Sequence, residues 1–364
     1  IISFVDKELT HPEGGFYASM DADVTPDDEG GYFTWTQEEF ANTLTADELE
    51  AMSAHLFNYK NIVHHAPDKV VLSIIHDSDE IARAKGKRPE EIEEYIRSAK
   101  KKLLAYREKR QKPFIDTALY TSLNGMMISA YCKAYRLLED HDILDRAIKG
   151  LRNVMTLNMH DGELLHCPGV PALLEDYVFF CDALIAVYEV TGQIEYFDEA
   201  KKLLGICLEH FWDPDGWGFF DTRDEVIGLR LKGIEDVPRP SPNAQAIINL
   251  LKVAAISGDD SYHRYAKDAL KAFIPDANAL SIHGAYYFCA LDAYFRMIKL
   301  EVRADAGSEI AKVALFADYP YTCVVYTRSG ENDIIPCSGA TCFEPVRSSE
   351  SMTAFLETRK VRQA

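Results

Sequence analysis

Long apolar runs and an excess of positive charge are both missing from this chain of 364 residues. No apolar stretch reaches the roughly 18 residues that a membrane-spanning helix needs, so we expect no membrane partner. The 39 lysines and arginines are outnumbered by 58 aspartates and glutamates, which gives a net charge of −19. Because phosphate contacts require a basic surface, we expect no nucleic-acid partner either.

Cysteine is scarce as well. Eight cysteines are too few for a disulfide-stapled scaffold, and several stand in apolar, helix-like segments, where cysteine behaves as a small hydrophobe. We therefore expect a reducing, cytoplasmic location. Cys337 and Cys342 form a C-x4-C pair that could be redox-active or half of a metal site. No second cysteine pair follows, so we expect neither a metal ion nor a cofactor.

The chain begins at Ile1 without an initiator methionine, a signal-peptide core or an arginine-rich leader. This start predicts a piece of a longer protein. Hydrophobic residues make up 47% and charged residues 27% of the chain, which is typical of a folded globular protein.

Three segments share a pattern of helix, tight turn and second helix. In two of them, Gly192 and Gly258 stand where a helix would end in the left-handed conformation that glycine tolerates best. A repeat of this length predicts αα-hairpins rather than a short solenoid unit. The segments are Tyr135–Leu151, Tyr188–Leu204 and Ala254–Leu270.

The two helices of each hairpin differ in hydrophobicity. The second is amphipathic, which is typical of an outer helix with one face in solvent. The first is apolar nearly all round and must be covered on most sides, so alternating inner and outer helices predict a closed αα-toroid. The predicted inner helices are Met126–Leu138, Leu173–Val190, Ala244–Ala255 and Ala285–Ile298.

Loop lengths indicate where function lies. Turns from inner to outer helices are short, whereas the connections Asn158–Ala172 and Phe211–Ser241, from outer to inner helices, are long. In a toroid all inner helices point the same way, so their N-termini share one mouth with these long loops. Because long loops on a rigid scaffold usually carry function, we expect one functional face there.

Acidic and aromatic residues are concentrated at these positions. The segments Pro12–Tyr17 and Asp215–Phe220 resemble each other, since glycines precede paired aromatics in both. Carboxylates that accept hydroxyl hydrogen bonds, together with aromatic faces, suit a neutral sugar, and two acids across a pocket can do acid–base work. The candidate catalytic residues are Asp21, Asp23, Asp116, Asp176, Asp221 and Asp236, and the candidate ligand-binding residues are Tyr17, Trp35, Asn124, Glu175, Tyr177, Glu235, Asn243 and His283.

Several candidates also have ordinary structural explanations. Polar residues beside a helix start are most often caps, which favours capping for Asp176, Ser241 and Asn243. Asp21 and Asp23 are typical of turn residues, with metal ligation as the alternative.

Three other candidates have structural alternatives too. Glu175 and Asp176 are adjacent, so we expect that only one of them points into the pore. His283 fits a satisfied helix-end histidine, and Trp35 fits a core tryptophan.

Six motifs, in this order, resemble the YyaL/spermatogenesis-associated thioredoxin-domain family, and the resemblance covers almost the whole chain. Members combine an N-terminal thioredoxin-like domain with a toroid similar to N-acylglucosamine 2-epimerase and the six-hairpin glycosidases. The resemblance implies an (α/α)6 toroid and a role in carbohydrate metabolism. The motifs are Glu13–Asp23, Gly31–Thr36, Ser122–Ala130, Leu174–Tyr177, Ser241–Asn243 and Cys337–Pro345.

The chain also departs from that family. We expect the thioredoxin-like domain to be absent. Leu123 replaces the usual tryptophan, and Thr117-Ala118 replaces an acid and a lysine after Asp116. Toroidal epimerases use histidines as acid and base, and only His283 stands in a suitable position, which argues against epimerase activity.

We therefore predict a mainly α protein, with an (α/α)6 toroid over residues 1–302 and a small, partly β appendage over 303–364. Strands are predicted at Ala311–Ala317 and Cys323–Tyr326. The function predicted is that of a carbohydrate-active or carbohydrate-binding protein, related to sugar epimerases and six-hairpin glycosidases. The alternative is a non-catalytic toroid or scaffold that holds a ligand or peptide for a thioredoxin-like domain.

Overall fold

The computed structural model describes residues 1–28, 30–56, 62–63, 66–160, 162–226, 228–327 and 329–360, without the side chains of residues 62, 63 and 67. The chain divides into two compact units. Unit 1 comprises Ile1–Ala18 and Ala118–Ala364, and unit 2 comprises Ser19–Thr117. Unit 1 begins with helix α1 (Ile2–Glu8) and also contains everything described after residue 302. A separate domain at 303–364 stays a prediction.

Unit 2 is built on a core around Trp35, Phe40 and Ile92. Thr36 and Glu39 form a capping box at the start of α2, and Pro89 lies in the first turn of helix α5. Its elements are β1 (Ser19–Met20), β2 (Trp35–Thr36), α2 (Gln37–Thr43), α3 (Ala46–Leu56), β3 (Ile62–Val63), β4 (Ala66–Val70), α4 (Ser78–Lys85), α5 (Pro89–Arg107) and β5 (Ile115–Asp116).

The first part of unit 1 after the insertion consists of helical hairpins. All three predicted helix–turn–helix segments are confirmed, and Gly192 and Gly258 end their helices with φ of 67° and 72°. The helices are α6 (Thr121–Leu138), α7 (His141–Asn158), α8 (Leu174–Thr191), α9 (Ile194–His210), α10 (Pro242–Ser257), α11 (Asp260–Ala272), α12 (Ile274–Leu280) and α13 (Ala285–Arg296), with a 3-10 turn at Ser281–Gly284 before α13.

The inner helices pack in sequence, α6 on α8, α8 on α10 and α10 on α13, and each also contacts an outer helix. Helix α8 is buried on nearly all sides, as its apolar sequence predicts. Gly125 allows α6 to approach α8 closely, because a Cβ atom there would lie 2.6 Å from the backbone carbonyl of Phe179. The fold class predicted, a mainly α toroid of helical hairpins with a small sheet, is confirmed.

The long connections before the inner helices are partly ordered as strands. A three-stranded sheet of β6 (Met159–His160), β7 (Glu163–Cys167) and β8 (Val170–Pro171) precedes α8, in the order β6-β7-β8. The connection before α10 contains an antiparallel bridge between Trp212 and Phe219. Both connections therefore lie at the N-terminal ends of inner helices, as the loop lengths predict.

A four-stranded sheet follows α13, in the order β10-β9-β11-β12. The strand predicted at Cys323–Tyr326 is confirmed. The strand predicted at Ala311–Ala317 is wrong, because residues 311–315 belong to a helix. Ser308 caps that helix by accepting a hydrogen bond from the Ala311 backbone amide. The elements are β9 (Ile298–Val302), α14 (Glu309–Leu315), β10 (Thr322–Tyr326), β11 (Ile334–Ser338), β12 (Thr341–Cys342) and α15 (Ser349–Glu357).

The two ends of the inner-helix series contact one segment. Arg136 of α6 donates from Nε to the Leu315 carbonyl at 2.7 Å, and Arg296 of α13 donates from Nε to the Tyr319 hydroxyl at 3.2 Å. The segment around 315–319 therefore joins α6 to α13 and completes the ring.

Cys337 and Cys342 are joined in a disulfide between β11 and β12. Within the part of the chain that the structure describes, no helix has the length and apolarity needed to cross a bilayer. A cytoplasmic location stays a prediction.

Candidate functional site

The N-terminal ends of α6, α8, α10 and α13, with the connections that precede them, form what we call the rim of unit 1. Asp176 ties two of these ends together. Its carboxylate accepts hydrogen bonds from the backbone amides of Ser122 at 3.0 Å and Leu173 at 2.9 Å. The side chain is fully buried, and burial raises the pKa of Asp176, although the Leu173 amide and the His166 ring oppose the rise. Asp176 therefore combines the expected capping role with a bridge between α6 and α8.

Asp236 makes an equivalent bridge on the other side of the ring. Its two carboxylate oxygens accept hydrogen bonds from the backbone amides of Ser241 at 2.9 Å and Tyr286 at 2.8 Å. Ser241 caps α10 as expected, since its hydroxyl accepts from the Ala244 amide. The carboxylate of Asp236 thus links the starts of α10 and α13.

Two buried asparagines connect the rim to the glycine–aromatic segments. Asn124 binds both the amide and the carbonyl of Phe16, at 2.7 and 3.1 Å. Asn243 binds both groups of Phe219 in the same way, at 2.8 Å each, rather than capping α10. The predicted similarity of the segments thus extends to their contacts, and both amides are occupied by the protein backbone.

His166 on β7 is a rim residue that the sequence analysis missed. Its Nδ1 lies 3.0 Å from both carboxylate oxygens of Asp176, and its ring stacks on Tyr120 with centroids 4.7 Å apart. A buried carboxylate that orients one imidazole nitrogen leaves Nε2 for proton transfer. The signal available in the sequence was its position in the long connection before α8.

Glu175 and Asp176 both contact Ser122, and the expectation that only one of the two points into the pore stays a prediction. Its carboxylate accepts from the Ser122 hydroxyl at 3.3 Å and pairs with both terminal nitrogens of Arg239, at 3.1 and 2.9 Å. Ser122 of α6 therefore contacts both acids, because its amide donates to Asp176 and its hydroxyl donates to Glu175. Arg239 was also not predicted.

Asp221 is a rim residue whose carboxyl group has a raised pKa. Burial, with the nearby negative charges of Glu235 and Glu175, raises the pKa of Asp221 to about 6. Its carbonyl accepts from the Leu174 amide at 3.0 Å, which fixes Asp221 beside the start of α8. A carboxyl with this pKa can both donate and accept a proton near pH 6.

His166, Glu175 and Asp176 also place their possible ligand atoms within 4.8 Å of one another. In this structure, however, Asp176 accepts from two backbone amides and the His166 ring, and Glu175 is paired with Arg239. A cation would have to replace those donors, so the arrangement is that of a hydrogen-bonded acid–base cluster.

Three other candidates of unit 1 have different surroundings. Tyr177 is 3% exposed, and its hydroxyl accepts from the Leu164 amide at 3.3 Å. His283 is exposed, and its carbonyl accepts from the Asp236 amide at 2.6 Å. Tyr17 is half-buried, with its ring edge-on to His11. Of these, the buried Tyr177 packs in the core beneath the rim.

The remaining candidates lie in unit 2. Asp116 on β5 pairs with Ser19 of β1, and the Asp21 amide, directly after β1, donates to the Phe114 carbonyl. Asp23 accepts from the Gly30 amide at 2.7 Å, which is typical of a turn. Trp35 is 3% exposed and packs on Phe40, with Arg110 over its ring. Asp21 thus lies two residues after Ser19, the strand partner of Asp116, and the part of both acids in a site stays a prediction.

Solved structures with a similar arrangement include enzymes that act on sugars. A variant of an alpha-1,6-mannanase from Salegentibacter in complex with alpha-1,6-mannotriose is 13% identical, with a TM-score of 0.37 over 65% of this chain and 68% of that one. An alpha-mannanase of Bacteroides thetaiotaomicron is 14% identical, with a TM-score of 0.40 over 71% and 79%. A cellobiose 2-epimerase from Spirochaeta thermophila is 16% identical, with a TM-score of 0.34 over 44% of each chain. At such values the likeness says nothing of activity.

Among curated proteins, the chain is similar to spermatogenesis-associated protein 20. The human protein is 26% identical over 75% of this chain and 40% of its own length, and the mouse protein is 24% identical over the same shares. An uncharacterised protein of Caenorhabditis elegans is 27% identical over 76% of this chain and 42% of its own length. The chain thus spans about two fifths of these relatives. No family model matches it.

Proposed function

We propose that the rim of unit 1 binds a carbohydrate and transfers protons to and from it. We also propose that the chain belongs to the family of spermatogenesis-associated protein 20. The family proposal rests on the identity of 24–27% over three quarters of the chain. The functional proposal rests on one observation, the acid–base cluster of His166, Glu175 and Asp176 with Asp221 near enough for the charge of Glu175 to raise its pKa.

The cluster supports acid–base chemistry because its members differ in environment. Asp221, with a pKa of about 6, carries a proton on about half of the molecules at pH 6. Glu175 is held by two contacts with the Arg239 guanidinium. Two carboxyl groups in different environments at one site are the kind of pair that glycoside chemistry uses.

His166 supplies a second proton-transfer group. The carboxylate of Asp176 orients its Nδ1, so the proposed role of Nε2 is to take or return a proton at a sugar hydroxyl or ring carbon. This answers the objection that only His283 was suitably placed for epimerase-like chemistry. Asp236 and Glu235 are proposed to line the same rim.

Asp21, Asp23 and Asp116 belong to unit 2 and remain candidate carboxylates for sugar binding by that unit. Carboxylates at a sugar site accept hydroxyl hydrogen bonds, so substitution of any one of them by asparagine should weaken binding if it contacts the sugar.

The proposal is tested by titrating the full chain with a panel of neutral mono- and disaccharides, followed by calorimetry and by saturation-transfer NMR. We expect at least one sugar to bind, and Asp221→Asn or His166→Asn to weaken that binding roughly tenfold, which corresponds to about 1.4 kcal/mol. The matched control is Glu225→Gln, an exposed acid in the same connection as Asp221.

Two results would overturn the proposal. One is a panel in which no sugar binds the folded chain. The other is binding that Glu225→Gln weakens as much as Asp221→Asn does, because the effect would then come from general charge and not from the rim.

A further inference from the structure

A cavity of about 340 Å³ lies inside the ring of unit 1. Inner helices α6, α8, α10 and α13 form its wall, and residues 319–322 cover one side. Tyr286 links this cavity to the rim, because its backbone amide donates a hydrogen bond to Asp236 and its ring lines the cavity. None of the acid–base groups of the rim lines this cavity.

Charged side chains from different helices meet in its wall. Lys252 of α10 lies 3.3 Å from Glu189 and 3.9 Å from Asp182, both on α8. Burial lowers the pKa of Lys252, but the two carboxylates outweigh it and raise the pKa above its usual value. The lysine is therefore a permanent cation in the wall.

Both carboxylates are also held from behind. Asp182 accepts from the Ser129 hydroxyl at 2.8 Å, and Glu189 accepts from the Val324 amide at 3.2 Å. Each is at most 16% exposed in its side chain. Their positions are thus set by the protein, while each keeps further acceptor capacity toward the cavity.

Arg136 adds a donor that the protein uses only in part. Its Nε donates to the Leu315 carbonyl at 2.7 Å, which orients the guanidinium. Among the described residues, its two terminal nitrogens have no hydrogen-bond or ion-pair partner. A planar guanidinium with a free edge fits a carboxylate or phosphate with two parallel hydrogen bonds.

The charges and rings of the wall define a ligand class. The wall has three cations, Lys133, Arg136 and Lys252, and two carboxylates, so its net charge is +1. Tyrosine rings supply flat apolar faces, as sugar-like carbon skeletons require. The rings are those of Tyr286, Tyr319 and Tyr321.

We propose that this cavity binds a small polyhydroxylated anion, a sugar acid or sugar phosphate, with the anionic group on Arg136 and hydroxyl groups on Asp182 and Glu189. The site is separate from the rim, and it does not depend on the proposed function.

Two free cysteines of the unmodified chain allow a direct test. Cys289 lines the cavity and is exposed, whereas Cys167 is partly exposed on β7 at the rim. The alkylation rate of each thiol by iodoacetamide is measured by mass spectrometry with gluconate, glucose 6-phosphate, glucose or inorganic phosphate present. At about ten times its Kd, a cavity ligand should slow alkylation of Cys289 roughly tenfold and leave Cys167 unchanged.

The ligands separate the possible results. Protection by gluconate supports a sugar acid, and protection by glucose 6-phosphate supports a sugar phosphate. Equal protection by glucose would overturn the need for an anion, and equal protection by inorganic phosphate would overturn the need for hydroxyls. Protection of Cys167 alone would place binding at the rim, and no protection of Cys289 by either anionic sugar would end the proposal.

A variant series tests the role of Arg136. Arg136→Gln should weaken binding of the protecting ligand at least tenfold, and Arg136→Lys should restore only part of it, because lysine keeps the charge without the planar edge. Arg264→Gln, on the exposed face of α11, is the control and should bind as the wild type does. Circular dichroism verifies the fold of each variant. Where Arg136→Gln does not fold, the protection of Cys289 in the wild type decides alone.

Discussion

The side chain of Asp176 shows how a buried acid at the rim is stabilised by donors distant in sequence. It accepts from an amide 54 residues earlier on α6, from the amide of Leu173, and from the ring of His166. Desolvation of a carboxylate is costly unless such donors surround it. The same hydrogen bonds that satisfy Asp176 also orient His166, so a structural requirement and a chemical one are met by one side chain.

Asp221 gives a pH-dependent contribution to stability. Its pKa is raised from 3.8 to about 6 in the folded chain, so the folded state binds more protons than the unfolded state between these pH values. The free energy of unfolding therefore falls as the pH rises from about 4 to about 6. Asp221→Asn should remove this slope and stabilise the chain above pH 6 by about 1 kcal/mol, after allowance for solvent screening.

Urea unfolding of wild type and Asp221→Asn at pH 4, 5, 6 and 7 measures this difference. Parallel stability profiles for the two proteins would show that Asp221 has an ordinary pKa.

The N-termini of the inner helices depend on side chains that hold loop backbone in place. Asn124 and Asn243 lie in the first turns of α6 and α10, and each binds both backbone polar groups of one buried phenylalanine. In both segments glycines with positive φ precede that phenylalanine, which lets the loop backbone turn toward the asparagine. The two asparagines thus hold the glycine–aromatic segments against the ring of helices.

Asn243→Ala should therefore lower the free energy of unfolding by about 2–4 kcal/mol, because the amide and carbonyl of Phe219 would be left buried without partners. Thermal and urea unfolding measure the loss. Asn278→Ala, on the exposed side of α12, is the matched control and should change stability by less than about 0.5 kcal/mol. A similar loss in both variants would mean that the Asn243 side chain contributes nothing specific.

The close approach of α6 to α8 gives a second prediction for the helices. Gly125→Ala should destabilise unit 1 by about 1–3 kcal/mol, since the new methyl group would meet the backbone of Phe179, which has no other rotamer to adopt. Gly205→Ala, within α9, is the comparison, because open space surrounds that position. It should be neutral or stabilise by about 0.5–1 kcal/mol. A stabilising effect of Gly125→Ala in the same unfolding assay would contradict the packing described.

For the whole molecule, the division of the chain predicts that unit 2 is an insertion. It leaves unit 1 after Ala18 and returns at Ala118, and Ser19 and Asp116 are paired on neighbouring strands. The two ends of the insertion are therefore only a few ångströms apart, about 5 Å between paired Cα atoms.

Replacement of residues 19–117 by a short glycine–serine linker should leave unit 1 folded, with helical circular dichroism and one cooperative thermal transition. The intact chain is the reference. Loss of helical signal or of the transition would show that unit 1 requires unit 2 to fold.

Local patterns of the sequence determined the helical hairpins, the glycine C-caps and the capping residues Thr36 and Ser241, because each depends on neighbours within a few positions of the chain. The strand predicted at Ala311–Ala317 was wrong because a short apolar run fits a strand as well as a helix. The capping residue Ser308, just before this run, favours the helix.

Only the tertiary structure decided which side chains meet. His166 with Asp176, Glu175 with Arg239, and Asn124 with Phe16 lie 10, 64 and 108 residues apart in sequence. Their contacts form because the ring brings helix starts together from separate hairpins. The raised pKa of Asp221 likewise comes from burial and from charges on other segments, which no local pattern encodes. Residue types at the rim were thus visible in the sequence, whereas their pairing and protonation follow from the closure of the ring.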